Sequence, residues 1–369
     1  SIALFNIKIV EFYLIISIIT SILFYISSNV ANKSPILSRV LFLLFILLPT
    51  TIGGLRNWNL GTDMLGYGTI YFYDACSNKN LLKHLESYES TEYGYHLLNW
   101  LCARTTVAIN FFLFVAELIK IILVGLTAWK FRSQINTFIF IFAYMLFFWW
   151  YGFSLMRQSI ALCFCLYSLV CLYDKKYIPF IILVILGYLF HNSAIFILII
   201  PIIIFLSTFK RRLPIVIFSS IGIFVFASLL FSIAANSGLF AESKRELYLD
   251  SGVTSAKTNI LIMAAFLLFT FVAKIRNKDL RFFIRACSMY GLMFLSLSSL
   301  FEVAFRVSFY PMLALLIAVP MAIQSLNKTM RNISTIAFVS LFILHIVIAA
   351  IHGMADTIPY KSTILFNLL

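Results

Sequence analysis

Charge is scarce in this chain. Only 11% of its 369 residues are Asp, Glu, Lys or Arg, against roughly a quarter in soluble domains, and the mean hydropathy is +1.00. Such a chain cannot clothe a water-facing surface, which excludes a soluble globular domain. Acid is scarcer than base, 14 residues against 28, and no paired-carboxylate DxD occurs. GxxxxGK[ST], HExxH and GxSxG are missing too, so nucleotide chemistry and metal hydrolysis lack their usual residues; no metal and no cofactor is expected. Six cysteines occur without a CxxC pattern. Cys163, Cys165 and Cys171 read as small hydrophobes on one span. Cys76 and Cys102 share a polar loop, where an oxidising compartment would permit a disulfide.

What is present instead is hydrocarbon. Runs of about 17–25 apolar residues, the length that a bilayer core about 30 Å thick requires, recur along the whole sequence. They lie near 9–31, 36–54, 106–128, 135–152, 158–173, 177–190, 193–209, 214–236, 258–274, 282–301, 307–325 and 333–352. The pattern predicts an all-α polytopic integral membrane protein with about twelve transmembrane helices in a single membrane domain over 1–369. The runs at 158–173, 177–190 and 193–209 are short and crowded, so one of them is expected to be tilted, broken or partly re-entrant. The first run is full length and lacks a small-residue cleavage site, so it reads as a span and not as a signal peptide.

Lys and Arg concentrate in "NKSPILSR", "KFRSQ", "YDKKY", "FKRRL", "KIRNKDLR" and "NKTMR", at every second connection. Basic flanks resist translocation, which puts these turns in the cytoplasm. It also explains the formal charge of +14 through anionic headgroups, with no nucleic acid involved. The alternate connections then face outward, among them a long loop at 55–105 and a second at 237–257.

Chemistry gathers on that outward side. Arg56 follows the second span, Arg157 opens the fifth in "FSLMRQSIAL", and Arg306 opens the eleventh in "FEVAFRVSFYP". An arginine at a membrane boundary persists with a partner or a task. Each could snorkel to headgroups, and Arg306 could pair with Glu302 at i, i+4. As a set without lysine they suit a bound phosphate or diphosphate, which a planar guanidinium grips bidentately. His191 in "YLFHNSAIF" adds a group that takes a proton near neutral pH, with Asn192 and Ser193 placed to orient it. The long loop adds Asp63, Asp74, His84, Glu86, Glu89, Glu92 and His96 among Tyr and Trp, a mixture suited to sugar hydroxyls and ring faces. "LLKHLESY" within it also has the spacing of a membrane-surface helix. Glu242, Glu246 and Asp250 share a helical face with Lys244 and Arg245 interleaved and read as a solvated surface. "FFWWYG" at 147–152 reads as an interfacial aromatic belt, and His345 as a packed core histidine. Only Glu117 and Lys120 lie deep in a span, where they can pair.

Six of these stretches, in order, resemble the EpsG-type, Wzy-like polysaccharide polymerases of bacterial envelopes. "GLRNWNLGTDMLGYG" looks like that family's Arg-then-GTD segment, and "STEYGYHLLNWL", with Glu92 and Tyr93, like its Glu-aromatic-Gly segment. "MRQSIAL", with Gln158, looks like its Arg-Gln pair, and "LFHNSAIF" like its His-x-Ser-Ala turn. "FRVSFYPMLALLIAVP", with Arg306 and Tyr310, looks like its Arg-x-x-x-Tyr helix, and "IPYKS", with Tyr360, like its terminal Pro-Tyr motif. The matches stretch from 53 to 362.

The resemblance implies a metal-independent glycosyltransferase of the bacterial inner membrane with a GT-C-like architecture and a periplasmic active site. It would join undecaprenyl-diphosphate-linked oligosaccharide repeat units in O-antigen or related polysaccharide biosynthesis and release undecaprenyl diphosphate. Membrane lipids are its surroundings, and a chain-length regulator is a candidate partner. Arg157 and Arg306 would grip the diphosphate while Arg56 helps or braces the loop. His191, then Asp63 and Glu92, are the candidates to deprotonate the acceptor. Tyr93, Gln158, Asn192, Glu302, Tyr310 and Tyr360 would line the substrate. A flippase or exporter for the same lipids, or an O-antigen ligase, would use similar arginines.

Overall fold

The computed structural model describes residues 2–88, 91–236 and 257–368. Glu89 and the 237–256 stretch, with Glu242, Glu246 and Asp250, lie outside the described residues. Every regular element among the described residues is helical. Among the described residues seven helices are long and apolar enough to cross a membrane, and five shorter apolar helical stretches accompany them. The chain is therefore a multi-pass helical membrane protein. Irregularity falls at two of the shorter stretches: 192–198 is a 3-10 turn, and 145–153 contains a π turn followed by a 3-10 turn.

The helices form two units, one reaching Ile195 and resuming at Thr335, the other spanning Phe196–Ser334. The first contains α1 (Ile2–Val30), α2 (Pro35–Leu55), α3 (Thr69–Ser77), α4 (Leu81–Glu86), α5 (Tyr93–Thr105), α6 (Ile109–Phe131), α7 (Thr137–Tyr144), α8 (Met156–Tyr173) and α9 (Tyr177–Phe190). Proline at the first position opens α2, where its missing N–H leaves no bond unmade. Asn136 caps α7 by accepting the Phe138 N–H at 3.0 Å. α1 and α2 approach through small residues, with Ser27 and Ser38 each donating to the other's carbonyl at 2.8 and 2.9 Å. α2 packs on α6, and α6 and α9 both pack on α8. At Gly53 a Cβ would come within 2.9 Å of Glu117 Cδ, so glycine sets how closely α2 meets α6.

The aromatic run of 147–150 departs from expectation: Phe147, Phe148, Trp149 and Trp150 are core residues, not an interfacial belt. They extend α7, which packs against α1 and α6, and a helix apolar all round is a buried one. Trp150 satisfies its indole N–H at Leu146 O, 2.8 Å away. His345 is buried as expected and stacks on Phe147, ring centres 4.7 Å apart.

The 55–105 loop is itself helical, folded as α3, α4 and α5. Trp100 donates to Asn78 O at 3.1 Å, and Arg104 donates to the Ala75 carbonyl at the end of α3, so α5 holds α3 by its C-terminus. Cys76 and Cys102 are free thiols; the disulfide that the sequence permits is not formed.

The second unit contains α10 (Ile199–Leu206), α11 (Arg212–Asn236), α12 (Lys257–Val272), α13 (Lys278–Leu297), α14 (Glu302–Val307) and α15 (Phe309–Gln324). Its helices pack around α13, capped by Asn277, which accepts the N–H of Asp279 and Leu280 at 3.0 Å each. α16 (Lys328–Ile351) carries the chain back to the first unit, which closes with α17 (Thr363–Leu368).

Candidate active site

Two polar networks meet at the end of α2 and the start of α8. The inner one is fully enclosed. Arg56 donates to Gly53 O and lies 3.3 Å from Glu117 Oε1, the same oxygen that Lys120 Nζ meets at 2.6 Å. The three side chains are 0–1% exposed. The Arg56 guanidinium also lies 4.4 Å from the centre of the Phe153 ring. One carboxylate is shared between two cations, so the enclosed cluster keeps one positive charge in surplus.

This network has a lid of backbone. Tyr360 donates to Ile52 O at 2.6 Å and Ser362 to Leu55 O at 2.5 Å. Asn57 N–H donates to Lys361 O at 2.8 Å, and Gly61 N–H to Asp356 O at 3.2 Å. Gly61 sits at φ +99°, where a Cβ would also come within 2.9 Å of Ser154 Cα, so glycine fits there for two reasons. Residues 356–363 thus strap the end of α2. Tyr360 is a buried member of this strap, and Arg56 is buried in the turn that the strap holds.

The outer network is built on Arg157, in the first turn of α8. Its Nε donates to Tyr67 Oη at 2.9 Å, its Nη1 pairs with Glu92, and its guanidinium lies 4.0 Å from the Tyr67 ring centre. Tyr67 donates its hydroxyl to Asp63, and Asp63 Oδ2 accepts the Met156 N–H at 3.1 Å. A carboxylate there suits the positive end of the α8 dipole. Burial, and then the neighbouring Asp63 charge, push the Tyr67 hydroxyl well above its ordinary value near 10, so it stays a donor.

The α9 turn completes the arrangement. His191 has extended backbone and precedes the 3-10 turn at Asn192–Leu198. Its Nδ1 accepts the Ser193 backbone N–H at 3.2 Å and lies 2.7 Å from Ser193 Oγ. A backbone N–H only donates, so the neutral ring carries its proton on Nε2. Gln158 Nε2 donates to Ser193 Oγ at 3.4 Å, and Thr91 donates to Asn192 Oδ1 at 2.8 Å. Three sets of polar contacts therefore lie next to one another along the chain: Asp63, Tyr67, Arg157 and Glu92 in one, Gln158, Ser193 and His191 in the second, and Thr91 with Asn192 in the third. Tyr93 is exposed at the start of α5.

Arg306 and Glu302 belong to the second unit, where they pair at 2.7 Å on α14, with Tyr310 buried in α15. Three participants escape sequence reasoning: Tyr67, Thr91 and the Arg56–Glu117 bond. Tyr67 had one signal, its place four residues after Asp63 on one helical face.

An arginine fork and a helix N-terminus both favour negative charge, and here the carboxylates of Glu92 and Asp63 meet them. Flanking carboxylates, an imidazole N–H and amide groups suit a hydroxyl-bearing substrate. No curated protein and no solved structure matches the chain. A family model does, that of the EpsG family over residues 39–362, a span that includes all six motifs, and the chain belongs to the EpsG family.

Proposed function

We propose that this membrane protein is a polysaccharide polymerase of GT-C-like architecture. It would join undecaprenyl-diphosphate-linked oligosaccharide repeat units at the periplasmic face of the inner membrane. The observation that carries this reading is the Arg157 network, set at a helix N-terminus whose next residue, Gln158, bonds the Ser193 of the His191 turn, in a chain of the EpsG family.

In the proposed reaction the acceptor hydroxyl attacks the anomeric carbon of the donor, the bond to the diphosphate breaks, and undecaprenyl diphosphate leaves with the negative charge. Fixed guanidinium charge aimed at that oxygen stabilises the transition state more than the ground state. Arg157 supplies it. Its present partner is Glu92; a diphosphate that takes over the guanidinium fork releases this carboxylate. Glu92, freed from the guanidinium, then accepts the proton of the acceptor hydroxyl. Asp63 is a positioning residue that holds Tyr67 and the first turn of α8. His191 leads as a base on sequence alone, but with Nδ1 committed to the Ser193 N–H its ring gives a hydrogen bond from Nε2. Arg306 retains its place as an anion-binding candidate through its motif, and Arg56 acts as a brace.

A flippase or exporter would use charged groups near mid-membrane. The deep pair here, Glu117 and Lys120, is enclosed with Arg56, which favours chemistry at the outer face. The test is incubation of purified protein with one defined lipid-linked repeat unit. A ladder of multiples supports polymerisation. No product favours transport, and transfer only to an added core lipid favours ligation. R157A, R306A and E92Q should abolish the ladder at normal expression, and normal ladders from them would remove the site assignment.

A further inference from the structure

A second feature of the outer loop takes no part in the Arg157 network. A groove of about 580 Å³ is lined by Trp58, from the turn after α2, and by Thr69, Ile70, Tyr73, Asp74 and Ser77 of α3. The five α3 residues fall at offsets of one, four, five and eight from Thr69, one continuous face of that helix. Trp58, Ile70 and Tyr73 are all more than 45% exposed, so flat apolar surface stands open in the groove.

Its polar atoms are biased one way. Among the described residues that line it, Asp74 alone is charged, and the Tyr88 hydroxyl fixes the carboxylate through Oδ2 at 2.5 Å. A carboxylate offers about four lone-pair positions, of which this bond takes one. The Thr69 hydroxyl donates to Met64 O at 3.2 Å and the Ser77 hydroxyl to Tyr73 O at 3.1 Å. Both protons are spent on backbone, which leaves Thr69 and Ser77 as acceptors. Apart from the indole N–H of Trp58 and the phenol of Tyr73, the groove asks for donors from its ligand.

That bias decides between occupants. A phosphate headgroup brings only acceptors and negative charge, and would meet Asp74 with repulsion. Interfacial helices that hold such lipids line up Lys and Arg with their aromatics, and no Lys or Arg is among the described residues that line this groove. A saccharide brings what is asked for: rows of hydroxyl donors and the apolar ring faces that lie on aromatic planes. We infer that the Trp58–Tyr73–Asp74 groove is a binding site for uncharged saccharide units of the glycan, separate from the Arg157 network. As a holding point for polymer it rests on the polymerase reading; as a saccharide site it does not.

The binding test uses full-length protein in detergent and free oligosaccharides of one and two repeat units, cut from their carrier by mild acid, read by saturation-transfer NMR. W58A, Y73A and D74N should each weaken binding about tenfold, the worth of one aromatic face or one charge-assisted hydrogen bond. The amide carbonyl that D74N introduces can still accept from Tyr88, so that variant separates chemistry from folding. In the polymerisation assay the same variants should form the first two-unit product at the wild-type rate yet shift the ladder to shorter chains. Unchanged saccharide affinity in all three variants overturns the inference. So does groove labelling by phosphatidylglycerol vesicles but not by saccharide. Saccharide binding without any wild-type ladder would count against the polymerase reading and leave the site standing.

Discussion

Glu117→Gln is the most informative single substitution in the enclosed network. Glu117 Oε1 is met by both Lys120, at 2.6 Å, and Arg56, at 3.3 Å. Removing its charge leaves two buried cations with no anion, whereas Lys120→Met leaves a neutral Arg56–Glu117 pair. Breaking a buried pair by deleting one partner costs about 3–5 kcal/mol, while replacing a surplus charge by an apolar group is often neutral. E117Q should therefore fall at or above that range, and K120M should cost less than about 1 kcal/mol. At roughly 2–4 °C per kcal/mol for a unit of this size, E117Q should lower Tm by about 6–20 °C and K120M by only a few degrees. Thermal unfolding of detergent-purified protein by intrinsic fluorescence reads both. Equal losses from the two variants, or a wild-type Tm for E117Q, would refute the shared-carboxylate account. The double variant E117Q/K120M should recover part of the loss, because it removes one of the two orphaned cations.

Three further outcomes follow from the outer network and the loop. R157K keeps the charge but not the planar fork, and should lower ladder formation about a hundredfold, the scale of losing one fixed donor at a developing oxyanion, with Tm close to wild type. H191N can still accept the Ser193 N–H but lacks a group at Nε2, whereas H191Q places an amide donor near it. If the imidazole acts through its Nε2–H, H191Q should retain more polymerisation than H191N, and equal loss with a shifted acid limb of the pH profile would restore the base role. His84 in α4 has its pKa lowered chiefly by burial, so the folded loop binds its proton less readily than the unfolded one. Its contribution to stability is complete above the ordinary imidazole value near 6.5 and is lost as pH falls below it. Limited proteolysis between α3 and α5 should accelerate below that pH in the wild type and lose this dependence in H84Q.

Much of this was legible before any coordinates. The helices follow from runs of apolar residues, because a backbone in lipid must bond within itself; seven of the expected runs meet helices long enough to cross a membrane, and the other five meet shorter apolar helical stretches. "MRQ" and "HNSA" also declare themselves, because α8 and α9 are adjacent along the chain and pack together. What escaped depends on long-range packing. Glu117 and Lys120 are visible as a pair three residues apart, but that they share their carboxylate with Arg56 needs α2 and α6 brought together. "FFWWYG" reads as a belt because aromatics at a span end usually are one, and only the packing of α7 against α1 and α6 buries it. The Arg157–Glu92 bond joins residues 65 positions apart, with no periodicity to announce it.

The strap over α2 has a consequence for synthesis. Residues 356–363 follow all of the long apolar helices described above, including α16. Tyr13 of α1 also donates to Thr357 O. α1 and the end of α2 thus wait on residues translated after α16. Until these arrive, the N–H groups of Asn57 and Gly61 lack the Lys361 and Asp356 carbonyls that they meet in the folded protein. A nascent chain that has made α1–α16 but not yet residues 356–363 would therefore hold the end of α2 without its strap, and the turn that carries Arg56 takes its final hydrogen bonds only when that segment is added.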